Sequence, residues 1–145
     1  MVDTNIFNRI LDDSLNLNMF KSPNKIFFAT HIQKDEIVNT PNINRRNDLL
    51  SIFNEISKLV STESGLYGIS RYGTGRYSSD GLVKKIRMEL DKKDKRKNNP
   101  KDALIADTAI KNNYILVTED GPLYYVVTEI FKGVAQKLDE FLDSS

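Results

Sequence analysis

Five consecutive residues, Tyr114 to Thr118 (Tyr-Ile-Leu-Val-Thr), constrain the fold of this chain more than any other stretch. An apolar run of strand length with no polar alternation belongs to a strand covered on both faces. Lys25–Ala29 has the same character, with Ile26, Phe27 and Phe28 in succession. Leu66–Ile69 reads as a further short strand, Met1–Asp3 as the stub of a strand and Ala135–Leu138 as a short edge strand. Between these runs the pattern turns helical. Helices are expected over about Ile6–Leu11, His31–Val38 with Thr30 as cap, Arg45–Leu59, Leu82–Leu90, Asp102–Asn112 and Leu123–Phe131. In the third of these, Leu49, Leu50, Phe53 and Ile56 recur at three- and four-residue spacing. Asn112 and Asn113 suit a helix end that needs a left-handed residue. The segment Ser70–Asp80, rich in Gly, Ser and Tyr, is expected as a loop, and Asp139–Ser145 as a terminal turn. Strands alternating with helices imply an α/β chain built on a parallel sheet. At 145 residues, a single domain over 1–145 is the expectation.

In such sheets, sites form outside the carboxyl ends of the strands. Four acids stand out by that rule. Asp3 closes the first strand stub, and Asp120 lies just past Tyr114–Thr118. Glu36 lies on the helix after the second strand, and Asp102 opens the helix that leads into the strongest strand. Each has a plainer alternative. Asp102, after Pro100, suits a helix cap, and Asp120 before Gly121 suits a turn. Glu36 suits a solvated helix face, with Asp35 competing for any inward role. With 20 Asp and Glu in the chain, position carries the argument and number does not. Carboxylates that converge repel unless a cation neutralises them. Hard oxygen donors without thiolates favour Mg²⁺ or Mn²⁺ over zinc.

The remaining composition removes alternatives. The lone histidine, His31, excludes a two-imidazole acid–base pair, and no Gly-x-Ser-x-Gly elbow is present. With no cysteine, thiol catalysis and thiolate metal sites are excluded. No signal-peptide pattern opens the chain, and no run approaches the roughly 20 apolar residues of a membrane span. The expected setting is therefore cytoplasmic, without a membrane. A net charge of +1 provides no global field for nucleic acid. Positive charge is concentrated instead in Lys92, Lys93, Lys95, Arg96 and Lys97. That run suits a phosphodiester substrate or, equally, a solvated helix end.

Four short blocks, in order, resemble those of PIN-domain nucleases. Asp3-Thr4-Asn5-Ile6-Phe7 resembles the family's opening Asp-Thr-Asn motif. Thr30 to Glu36 is similar to its second block, which ends in a metal-binding Glu. Asp102 to Ala109 is similar to its Asp-initiated third helix, and Leu116-Val117-Thr118-Glu119-Asp120 to its fourth block. The resemblance spans nearly the whole chain. It implies a three-layer α/β/α sandwich on a mostly parallel sheet of about five strands. It also implies hydrolysis of RNA phosphodiesters with Mg²⁺ or Mn²⁺ held by Asp3, Glu36, Asp102 and Asp120. Thr118 is then a candidate to orient a ligand carboxylate, Asn5 to fix the first loop, and Asp107 to stand at the site's rim or reach a second ion. Only Met1 and Val2 precede Asp3, which is short for the family's central strand.

A water activated by the ions would attack phosphorus, with no protein nucleophile. Arg71, Arg76, Lys84 and Lys85 are candidates to steer the nucleic acid, and Tyr72 or Tyr77 to stack on an unpaired base. Many small stand-alone relatives are toxins held by an antitoxin, or defence nucleases. The resemblance thus implies an RNA substrate, an inhibitory protein partner and self-association. Two alternatives stay open: a DNA- or flap-directed nuclease with the same acids, and an inactive PIN-like binding module.

Overall fold

The computed structural model describes residues 1–21, 25–62 and 77–143, with backbone alone for 77–80. The chain is α/β. Among the described residues it contains seven α-helices and two small parallel two-stranded sheets. It divides into two compact units. The first comprises Met1–Ser61, Val117–Glu119 and Gln136–Ser145; the second comprises Thr62–Leu116 and Asp120–Ala135. No helix among the described residues is long and apolar enough to cross a membrane.

In the first unit, helix α1 (Thr4–Asp12) begins on Asp3, whose carboxylate caps it, and buries Ile6, Phe7 and Ile10. It ends where Ser14 turns left-handed (φ 51°). There Leu15 N–H reaches Ile10 O at 3.0 Å and Ser14 N–H reaches Leu11 O at 3.2 Å, which satisfies carbonyls that a helix end would otherwise orphan. Strand β1 (Phe27–Ala29) runs into Thr30, the cap of α2 (His31–Val38). The expected bounds of α2 hold. Helix α3 (Ile43–Ile56) packs on α1 and α2, with Phe7 and Phe53 rings 5.3 Å apart. A terminal helix, Leu138–Asp143, brings Phe141 within 5.3 Å of the Phe27 ring.

Three expectations are corrected in this unit. Ser57–Leu59, expected as the last turn of a helix, is instead strand β2, paired in parallel with β1 from Phe27↔Ser57 to Ala29↔Leu59. The strand at Lys25–Ala29 is only three residues long, and its Ile26 is exposed rather than covered. The terminal turn at Asp139–Ser145 is replaced by the helix Leu138–Asp143, which buries Leu138 and Phe141. The Met1–Asp3 stub forms a single parallel bridge, Val2↔Val117. It is nevertheless bonded on both sides. Val2 N–H donates to Phe28 O (2.9 Å), Asp3 N–H to Val117 O (2.9 Å), and Val117 N–H to Met1 O (2.8 Å).

In the second unit, α4 (Tyr77–Lys93) packs on α5 (Asn99–Lys111). The expected loop up to Asp80 is therefore helical from Tyr77, and α5 starts three residues before Asp102. Helix α5 ends as its asparagines predict. Asn113 is left-handed (φ 57°), with Tyr114 N–H on Ala109 O at 2.9 Å. Helix α6 (Gly121–Tyr125) passes into a π-helical turn over Val126–Ile130, where a continuous α-helix was expected. Leu123, Val126 and Val127 are core, and Tyr124 is half-buried. Strand β3 shrinks to Leu116–Val117 and pairs with β4 (Ala135–Gln136). The expected strand Leu66–Ile69 lies outside the described residues.

Candidate functional site

The four sequence-selected acids divide evenly between the units, and each pair is held in its own way. In the first unit, Asp3 is 5% exposed, and both its carboxylate oxygens accept hydrogen bonds from neutral donors. Thr4 N–H donates to Oδ1 (2.8 Å), and the buried Thr118 hydroxyl donates to Oδ2 (2.8 Å). Thr118, expected as a candidate to orient a ligand carboxylate, is the donor of this second bond. Thr4 also donates its own hydroxyl to Glu36 Oε1 at 2.7 Å, so one residue links the two acids. Asn5 Oδ1 accepts from Glu119 N–H at 3.4 Å. Of the neighbours Asp35 and Glu36, the first is exposed and the second half-buried, so Glu36 is the inward one.

Sequence reasoning missed two residues here. Thr4 passed as the middle of a common triplet. Gln33 is completely buried and does two jobs: its Oε1 accepts from Thr30 N–H (2.9 Å), and its Nε2 donates to Val2 O (2.8 Å). The Thr-x-x-Gln spacing of a capping box was the available signal. Glu119 pairs with Arg9, which also meets Asp139 at 2.9 Å and Asp13 at 3.3 Å. Burial pulls the Arg9 pKa down, but the bonds to Glu119, Asp13 and Asp139 outweigh it and leave it raised.

In the second unit, Asp102 sits in the first turn of α5, 7% exposed, and Asn98 occupies the N-cap position. The capping alternative for Asp102 therefore fails, although an acid in a first turn still favours the helix dipole. Asp120 does cap α6, where it accepts from Leu123 N–H at 3.5 Å. Its other oxygen takes a charged partner, Arg96 Nη2, at 2.8 Å. Burial acts to lower the Arg96 pKa. The hydrogen bond to Asp120 and the charges of Asp120, Asp102 and Asp94 outweigh that and raise it. Arg96 was visible in sequence only as one of five cations in a run.

Asp107, expected at a rim, is completely buried on α5, and Lys111 Nζ stands 2.6 Å from its Oδ1. Its placement is that of an internal ion pair. Lys84 and Lys85 are exposed on α4, where a polyanion could reach them. Arg71, Tyr72 and Arg76 lie outside the described residues, as does the side chain of Tyr77. Among the described residues, no three of Asp, Glu and His gather as a metal-holding group. Comparisons with protein-family models, curated proteins and solved structures found no match to the chain.

Proposed function

We propose that this chain is a metal-dependent endoribonuclease of the PIN-domain type, with Asp3, Glu36, Asp102 and Asp120 as the acids that hold Mg²⁺ or Mn²⁺. The observation that carries the reading is the Thr118 hydroxyl on Asp3 Oδ2. It joins the first and fourth sequence blocks through the bond that a carboxylate ligand needs to keep its orientation. Thr4, placed between Asp3 and Glu36, supports the same reading for the first and second blocks. The finer architecture, an α/β/α sandwich on about five parallel strands, belongs to the proposal too. The hydrogen bonds of Met1–Asp3 to Phe28 on one side and Val117 on the other are consistent with a central first strand.

The donor set suits a hard cation. All four candidate ligands are carboxylates, and Asp120 already attracts a positive group to 2.8 Å. A bound ion would supply an ionised water and charge stabilisation at phosphorus. Thr118, Thr4 and the first amide of α1 would fix ligand oxygens in advance, and Lys84 and Lys85 would attract the polyanionic backbone. An inhibitory protein partner and self-association belong to the same proposal through the resemblance.

The test is Asp102→Asn assayed on RNA with Mg²⁺. Loss of a ligand's outer partner costs about 10- to 100-fold, so loss of a ligand itself should cost at least about a hundredfold. A folded variant that cleaves at the wild-type rate overturns the assignment. Matched RNA and DNA strands in the same assay decide the sugar.

A further inference from the structure

Within the run Lys92–Lys97, five residues are exposed, and Arg96 alone is drawn inward. Its backbone is held there. Asn99 is fully buried, and its side-chain amide donates to Asp91 Oδ1 and to Asp94 O, both at 2.8 Å. Asn99 N–H also donates to Arg96 O at 3.2 Å. The turn between α4 and α5 is thereby clamped, and the guanidinium it carries reaches Asp120 Oδ2 at 2.8 Å. Arg96 Nε lies 3.8 Å from Asp94 as well. The Asp120 side chain is 11% exposed, so its cation partner is shielded from full solvent screening on that side.

We propose that Arg96 is a built-in counter-cation for Asp120, and that a divalent metal ion must compete with it for that carboxylate. The proposal rests on the metal-dependent reading above. A guanidinium cannot lose its proton near neutral pH, so it leaves a carboxylate only by moving. The clamped turn makes Arg96 a standing competitor, and side-chain rotation is its means of release. Metal loading is then weaker than the acids alone would give. An anionic ligand that draws the guanidinium away, such as a phosphate group, would strengthen it.

Mn²⁺ titration calorimetry on the full chain tests this directly. Arg96→Gln is expected to bind Mn²⁺ about tenfold more tightly than the wild type, and adding Asp120→Asn should abolish the gain. Lys97→Gln removes a neighbouring exposed charge and should change affinity less than about twofold. Equal gains from Arg96→Gln and Lys97→Gln, or no gain from Arg96→Gln, overturn the proposal. If Arg96→Gln does not fold, Arg96→Lys keeps the charge without the planar fork. It should bind about threefold more tightly, and wild-type affinity in that variant overturns the proposal instead. The two readings fail differently. Wild type and variant binding Mn²⁺ equally, both abolished by Asp120→Asn, would sink only the role of Arg96. Absence of Mn²⁺ binding in both would sink the metal reading and the competition with it.

Discussion

Asp3 in the first unit and Asp120 in the second both cap a following helix with one carboxylate oxygen, and the other oxygen of each takes a donor of a different kind. Beyond the capping amide that each accepts, Asp3 takes a hydroxyl and Asp120 a guanidinium. Neutral donors fix the direction of a carboxylate and leave its charge in place. A cation fixes direction and cancels charge together. The difference separates a partner that only orients an acid from one that also neutralises it. Exposure differs as well. Thr118 is completely buried, whereas Arg96 is about one-third exposed and can turn to water when its partner is lost.

That contrast orders the expected costs. Asp3→Ala removes a helix cap and leaves the buried Thr118 hydroxyl without this acceptor. Together these should cost about 2–4 kcal/mol in urea unfolding. Thr118→Val removes only the hydroxyl side of the bond, and about 1–2 kcal/mol is expected, with Thr118→Ser restoring part of it. Asp120→Ala should cost about 1 kcal/mol or less, since a partly exposed ion pair contributes little and the cap bond is long. A loss for Asp120→Ala as large as that for Asp3→Ala would break the comparison.

The smallest effect sharpens it at the surface. The Asp12 carboxyl is held below its usual 3.8, mainly by its hydrogen bond from Arg45. A depressed carboxyl pKa stabilises the fold above the unfolded value, and that contribution fades as pH falls through the folded one. The melting-temperature difference between wild type and Asp12→Asn should therefore be small at pH 6. It should shrink further as the medium is acidified below the ordinary carboxyl value and through the lower folded one. A difference that grows on acidification would contradict the sign.

What the sequence disclosed was chiefly what local chemistry writes into it. Thr30 and Asn113 carry their helix ends in their own side-chain and backbone preferences, and both were legible. Ser57–Leu59 was not, because nothing in Ser-Lys-Leu favours a strand over another helical turn. Its conformation comes from pairing with Phe27–Ala29, a tertiary effect that propensity does not contain. The helical state of Tyr77–Asp80 was hidden behind Gly and Ser, which weaken helix propensity without forbidding it. At the candidate site, the acids were legible through motif order and their partners much less so. Thr118 stood beside a strand end, whereas Thr4, Gln33 and Arg96 owe their roles to residues distant in sequence or to the shape of a turn.

The bond from Thr118 to Asp3 spans 115 positions of chain. During synthesis the first helix can form early, but its capping carboxylate has to wait for the residue after β3 before its bond to Thr118 can form. Contacts between such distant residues are formed late, because a long loop must close before they contribute. The acid that the family resemblance places first would thus be completed late, its local capping bond in place long before its bond to Thr118.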